Sequence, residues 1–239
     1  PVWKPENCIQ CNQCAYVCPH AVIRPFLLTD KEVENSPVEL KTVKAIGKGL
    51  ENYKFTMQVS PLDCTGCGSC ANVCPAKQKA LVMEPIEKSL DDGDAARTNY
   101  LFNKVEYKTD LMDVNTVKGS QFAQPLFEFH GACPGCGETP YLKTITQLFG
   151  ERMMIANATG CSSIYSGSAP ATPYTKNKKG FGPAWASSLF EDNAEFGFGM
   201  HIAVETMRHR IQTIMEENMS KVPADVAVLF KEWIDNRDN

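Results

Sequence analysis

The sequence predicts an α+β domain built around clustered cysteines, followed by the beginning of an α/β domain. Three observations carry that expectation. A four-cysteine pattern occurs twice within residues 8–75. The segment Lys54-Phe55-Thr56-Met57-Gln58-Val59 alternates apolar and polar residues as a half-buried strand does. Residues 139–157 read as a helix followed by a short apolar strand. Composition fits a folded chain: of 239 residues 43% are hydrophobic and 22% charged, with a net charge of −4, inside the ordinary globular range. Without a Lys/Arg block to hold phosphate backbones, no nucleic-acid partner is expected. No apolar run approaches the ~18 residues of a membrane span, and Pro1–Cys8 lacks the regions of a signal peptide, so neither membrane insertion nor export is expected. The chain starts at Pro1 and almost at once enters a ligand motif, which reads as a piece of a longer polypeptide.

Cysteine is the informative residue. The 11 cysteines are odd in number, and ten of them lie in tight groups, whereas disulfides want partners that close loops without strain. Cys8, Cys11, Cys14 and Cys18 follow the spacing C-x2-C-x2-C-x3-C-P, and Cys64, Cys67, Cys70 and Cys74 repeat it. Three thiolates two residues apart wrap one face of an iron–sulfur cubane, while the fourth, just before a proline, points to the other cluster. The ligand sets are therefore expected to cross: Cys8, Cys11, Cys14 and Cys74 on one 4Fe-4S cluster, and Cys64, Cys67, Cys70 and Cys18 on the other. Zinc, the alternative, usually takes two separated pairs. Ala15-Tyr16-Val17 and Ala71-Asn72-Val73 are expected as helical turns stopped by the following Pro, with Tyr16 as packing. Gly66 and Gly68 let backbone N–H groups approach cluster sulfurs.

Between the repeats, Val22-Ile23, a charged segment from Asp30 to Lys48 and the strand at 54–59 exceed what a small two-cluster fold needs, so part of this stretch is an insertion. Residues 85–125, with Asp91-Asp92-Gly93-Asp94 and isolated charges, read as a solvated connector. Next comes Cys133-Pro134-Gly135-Cys136, a lone CxxC open to thiol exchange, zinc or a cluster. Thr139 as N-cap, Pro140, a stripe of Leu142, Ile145, Leu148 and Phe149, and Gly150 as the stop predict a helix. Met153-Met154-Ile155-Ala156 suits a buried strand of a parallel sheet. Thr159-Gly160-Cys161 follows at its carboxyl end, where open α/β sheets bind ligands, although a single Cys there is more often packing. Residues 162–188, rich in Ser, Gly, Ala and Pro around Ser166-Gly167-Ser168-Ala169-Pro170 and Trp185, read as an ordered, partner-covered loop. A helix from about Asp192 would bury Met200, Val204, Met207, Ile211, Ile214 and Met215, and Val226, Leu229, Phe230 and Trp233 mark a last amphipathic helix.

The order of these motifs resembles the pyruvate:ferredoxin (flavodoxin) oxidoreductase family over nearly the whole chain. The resemblance rests on the double cysteine run, on Gly131-Ala132-Cys133-Pro134-Gly135-Cys136-Gly137-Glu138-Thr139-Pro140, and on Ile155-Ala156-Asn157-Ala158-Thr159-Gly160-Cys161-Ser162-Ser163. Gly182-Pro183-Ala184-Trp185 and Ser188-Leu189-Phe190-Glu191-Asp192 add to it. It implies an α+β ferredoxin-like two-cluster domain over 1–84, a connector over 85–125, and the beginning of an α/β thiamine-diphosphate-binding domain over 126–239.

The same resemblance implies a homodimeric enzyme that oxidatively decarboxylates pyruvate with coenzyme A, uses thiamine diphosphate with Mg2+ and three 4Fe-4S clusters, and passes electrons to ferredoxin or flavodoxin. Cys133, Cys136 and Cys161 match three ligands of the cluster nearest the thiamine, whose fourth ligand lies downstream in the family. Glu138 and Cys161 match positions lining the thiamine site, though Glu138 beside a helix start also suits the helix dipole. The family's Gly-Asp-Gly motif for magnesium and diphosphate is absent from this chain, as are the pyruvate-binding domains. The chain alone is therefore expected not to turn over. The expected location is the cytoplasm, or an anaerobic organelle such as a hydrogenosome. The competing expectation is a non-catalytic ferredoxin-type carrier whose appended CxxC binds zinc or exchanges thiols.

Overall fold

The computed structural model describes residues 1–167, 172–188 and 192–238. They form two compact units, the first made of residues 1–153 and 160–184, the second of 154–159 and 185–239. Ser168-Ala169-Pro170 and Leu189-Phe190-Glu191 lie outside the described residues.

In the first unit the chain enters as β1 (Val2–Trp3), passes the first cysteine run with α1 (Gln13–Tyr16), and forms β2 (Ile23–Leu28). The insertion supplies α2 (Asp30–Glu34), β3 (Val43–Lys44) and β4 (Lys54–Val59). These strands make an antiparallel sheet in the order β2-β4-β3, with Ile23 opposite Val59 and Leu28 opposite Lys54. The second cysteine run carries α3 (Ser69–Val73), and β5 (Leu81–Val82) returns to pair with β1, Trp3 opposite Leu81. The predicted helical turns in the x3 gaps are thus α1 and α3. Each is about one turn long, because Pro follows closely and cannot continue a helix.

Strand β4 lies where the alternation places it, but it is not half-buried: Thr56 and Gln58 are as buried as Phe55 and Met57. The reason lies in residues 85–125, which are not a solvated connector. After α4 (Ile86–Asp91), α5 (Asp94–Lys104) covers the other face of the sheet, and Leu101, 0% exposed, packs with Val105 against Phe26 and Leu28. Polar groups on that face are satisfied: the Gln58 amide donates to the Asp94 carbonyl at 3.2 Å and to Thr98 Oγ1 at 3.1 Å, and the Tyr100 hydroxyl donates to the Glu32 carbonyl at 2.6 Å. Arg24, also on β2, is buried under the Phe102 ring and bonded to Tyr107 and Glu128. Burial works against its charge, yet Tyr107 and Glu128 more than offset it and hold the guanidinium above its ordinary pKa. The opposite face of the sheet packs on Trp3, Ala15, Cys18, Cys70, Leu81 and Phe122, so the main core is shared with the cysteine runs.

The unit continues through α6 (Val117–Ser120), α7 (Thr139–Phe149) and α8 (Cys161–Gly167). Helix α7 ends where predicted but begins one residue early, with Glu138 rather than Thr139 as N-cap and no side-chain cap bond, and its buried face is the reverse of the expected one. Thr139, Lys143 and Thr146 are buried, while Ile145 and Phe149 are exposed, Phe149 at 63%. Gly150 stops the helix in right-handed conformation, and its value is space: a Cβ there would meet Leu126 Cδ1 at 2.9 Å.

In the second unit, β6 (Met154–Asn157) and β7 (Ala184–Ser187) pair. Ala184 N–H donates to the Met153 carbonyl and Ser188 N–H to that of Asn157, an in-step advance that makes the strands parallel as predicted. The strand is not buried as expected, since Met154 is exposed. Helix α9 (Asn193–Asn218) packs on β6, and α10 (Ala224–Asp235) follows. Among the described residues α9 has no buried side chain, and Met207, Ile211 and Ile214 of the expected core stripe are exposed, as is Leu229 of α10. A period-3.6 stripe reports an apolar face, not what covers it. None of the described helices is long and apolar enough to cross a membrane.

Candidate metal centres

The two cysteine runs are shaped by backbone that ordinary residues avoid. In each run the residue before the second cysteine and the residue after it are left-handed: Gly66 and Gly68 at φ 70° and 79°, Gln10 and Asn12 at 58° and 60°. Glycine adopts this region freely, whereas a residue with a Cβ needs compensation. Gln10 has it: its amide donates to the Lys44 carbonyl and accepts from Ile46 N–H, both at 2.8 Å, and Asn12 donates to the Lys118 carbonyl at 2.9 Å. Both side chains are buried. The insertion that brings Lys44 and Ile46 thus braces the first ligand loop.

Helix α1 packs against α3, which brings the ends of the two runs together. Cys18, Cys64, Cys67 and Cys70 line one small cavity with Pro19, His20 and Gly68. Burial raises the Cys70 thiol to about 12, reinforced by the nearby Cys18 and Cys64. Burial likewise raises the Cys14 thiol, with Cys8, Cys70 and Cys11 close by. Cys74 accepts an N–H from Ala80 at 3.4 Å, and its carbonyl takes the Lys79 ammonium at 2.7 Å. Among the described residues no three His, Cys, Asp or Glu side chains converge tightly enough for a single ion. The C-x2-C-x2-C-x3-C-P spacing, rather than two separated pairs, suits a cluster better than the tetrahedral shell of zinc.

The third group is less enclosed: Cys133 and Cys161 are exposed and Cys136 half-buried. Its loop shares one feature with the other two, since Gly135, just before the second cysteine, is at φ 74°, whereas Gly137, just after it, is not left-handed. Cys136 N–H bonds to the Cys133 carbonyl at 3.0 Å, and α7 starts only at Thr139, so the CxxC sits on a loop rather than opening a helix. A Cβ on Gly135 would lie 3.7 Å from Cys67 Cβ, which places this loop directly against the second run. Cys161 opens α8, and one turn later Tyr165 carries a phenol raised by burial and by the neighbouring Glu138, Tyr174 and Cys136. Glu138 and Tyr165 therefore border the same corner as Cys136, while no contact joins Cys161 to Cys133 or Cys136 among the described residues.

Two histidines join the runs. His20, next to Pro19, stacks on His130 at 4.6 Å between centroids, and His130 stacks on Phe127 at 4.6 Å. His20 Nε2 pairs with the Ala132 carbonyl at 3.0 Å. His130 Nε2 donates to the Pro19 carbonyl while its Nδ1 accepts from Ala132 N–H at 3.2 Å, so both ring nitrogens are engaged as a neutral imidazole. Burial, aided by His20, lowers the His130 pKa to about 4.

Comparison with known proteins agrees with this arrangement. Residues 7–78 match the 4Fe-4S dicluster domain family. Over all of its length the chain is 55% identical to a pyruvate:ferredoxin oxidoreductase of Moorella thermoacetica and 49% identical to a pyruvate-flavodoxin oxidoreductase of Klebsiella pneumoniae. The chain resembles one segment of the pyruvate:ferredoxin (flavodoxin) oxidoreductases from end to end. It spans 20% of the length of each of those two relatives. A mitochondrial pyruvate dehydrogenase [NADP(+)] of Euglena gracilis is 50% identical over 98% of this chain, which covers 13% of that relative. These relatives are thus named as enzymes, and the dicluster domain is the part of this chain that a family pattern identifies.

Sequence reasoning missed Gln10, Asn12, His20, His130 and Lys143. The first two were findable by overlaying the repeats, since Gln10 and Asn12 occupy the places of Gly66 and Gly68. The others act through contacts more than a hundred residues apart in sequence, which no local pattern signals.

Proposed function

We propose that this chain is the electron-relay segment of an oxidoreductase that decarboxylates pyruvate with coenzyme A and delivers single electrons to ferredoxin or flavodoxin. Three 4Fe-4S clusters serve this role: one on Cys133, Cys136, Cys161 and a ligand outside the chain, one on Cys64, Cys67, Cys70 and Cys18, and one on Cys8, Cys11, Cys14 and Cys74. The observation that carries the reading is the left-handed residue just before the second cysteine in all three loops, Gln10, Gly66 and Gly135. A CxxC built like the two cluster loops is a ligand loop, and thiol exchange would instead favour a helix N-terminus that lowers the thiol pKa.

The order of transfer follows from the neighbours. The Cys133–Cys136 loop lies against Cys67, and the His20–His130 stack ties Pro19 to Ala132, so the cluster on Cys18, Cys64, Cys67 and Cys70 is the middle station. The cluster on Cys8, Cys11, Cys14 and Cys74 is then the exit toward the carrier. Thiamine diphosphate with Mg2+, when bound, supplies the electron sink that decarboxylation needs. Glu138 and Cys161 border it from this chain, and the remaining partners come from other parts of a homodimer.

The test is Cys161→Ser in the full-length enzyme, with iron, acid-labile sulfide and EPR measured anaerobically. The expected result is loss of one cluster, slowed pyruvate-dependent electron transfer and retention of the two dicluster signals. Full cluster content with normal turnover would make Cys161 a packing residue.

A further inference from the structure

Lys143 is buried at 1% exposure, yet among the described residues no carboxylate pairs with it. It projects from the buried face of α7, and its ammonium donates to three carbonyls of the first cysteine run: Ala15, Tyr16 at 2.9 Å and Cys18 at 3.4 Å. These carbonyls close α1 and lie between Cys14 and Cys18, which belong to different ligand sets. A neutral donor would satisfy carbonyls equally well, whereas burying an ammonium costs several kcal/mol unless something compensates its charge. Burial pulls the Lys143 pKa down to about 8; the thiols of Cys18 and, less strongly, Cys14 oppose that, while Arg24, of the same sign and already paired with Glu128, adds to it. The compensating charge is therefore on the cysteine side.

We infer that Lys143 is a positioning residue that sets the reduction potential of the cluster on Cys18, Cys64, Cys67 and Cys70. The inference rests on the cluster assignment proposed above. A 4Fe-4S cluster with four thiolates is a net anion and gains one more negative charge on reduction. A fixed positive charge in a dry interior stabilises the reduced form more than the oxidised form and raises the potential. Its ammonium caps carbonyls that run from Ala15 to Cys18 itself, and the Cys18 thiol acts on it more strongly than that of Cys14, so it raises the middle cluster more than the exit cluster. The same ammonium joins α7, which begins three residues after Cys136, to the first run. The helix of the proposed entry site thereby supplies the charge that makes the next station a better acceptor.

The experiment uses the full-length enzyme prepared anaerobically, with potentiometric titration followed by EPR. Lys143→Gln keeps a donor without the charge, and Lys143→Arg keeps the charge. In Lys143→Gln the middle cluster should shift to lower potential, changing its electron-sharing equilibrium with the exit cluster at least tenfold, about 59 mV for a one-electron couple. Lys143→Arg should stay close to the parent. An unshifted Lys143→Gln with full iron content overturns the inference, as do equal shifts in both variants. Loss of cluster iron in Lys143→Gln makes the charge a requirement for assembly and overturns it too. If the parent itself lacks the dicluster signals, the cluster assignment fails, and that outcome is read before any variant is compared.

Discussion

At the scale of single residues, the ligand loops separate chemistry from conformation. Cysteine supplies the bond to iron, and the residues between supply a turn that ordinary side chains resist. Crossed ligation makes Cys18 a member of the second cluster although it belongs to the first run. Cys18→Ala should therefore chiefly remove the EPR signal of the cluster held by Cys64, Cys67 and Cys70, and selective loss of the other signal would refute the crossing. Gly68 has open space where a Cβ would go, so only its φ of 79° resists substitution. Gly68→Ala should cost about 1–2 kcal/mol in denaturant unfolding of the cluster-loaded protein. Gly68→Asn should cost less, since Asn12 already occupies the equivalent place. His130 makes a pH prediction. Its pKa is lowered from 6.5 to about 4, so the folded state holds fewer protons than the unfolded state between those values. Its contribution is complete above about pH 6.5 and is lost as pH falls toward 4. In unfolding measurements across that window His130→Phe should flatten the loss, although it removes two hydrogen bonds at every pH; an unchanged slope would show that His130 does not titrate there.

At the scale of elements, what was legible was whatever local pattern decides. The cysteine spacing, the turns stopped by Pro19 and Pro75, the strand at 54–59 and the end of α7 all follow from neighbours in sequence. Which face is covered does not, because covering elements arrive from far along the chain. Residues 85–125 show this: their charges read as a solvated connector, yet α5 closes the second face of the sheet. Leu101→Ala should accordingly cost about 2–5 kcal/mol, measured by denaturant unfolding, where a solvated position would change stability by less than about 0.5 kcal/mol. The reversed burial of α7 has the same origin. Lys143 and Thr146 are polar, but the α1 carbonyls and Leu126 N–H give their buried groups partners, whereas Ile145 and Phe149 have no such cover among the described residues.

At the scale of the whole molecule, the chain spans about a fifth of the two full-coverage relatives named above, and its sites differ in completeness accordingly. Both dicluster ligand sets are present, while the third site has three cysteines and the thiamine site only Glu138 and Cys161. The isolated 239-residue chain, assembled anaerobically, is expected to hold iron and sulfide for two clusters and to show no pyruvate-dependent viologen reduction; measurable reduction would show that the catalytic parts are already here. The unequal bracing of the two loops also imposes an order in time. The second loop takes its shape from its own glycines as soon as it leaves the ribosome. The first emerges earlier, but Gln10 waits for Lys44 and Ile46, and Asn12 for Lys118, before its backbone is held. The first half of the repeat thus depends on a residue made after the second, and a chain released before residue 118 would leave Asn12 without the carbonyl that holds it.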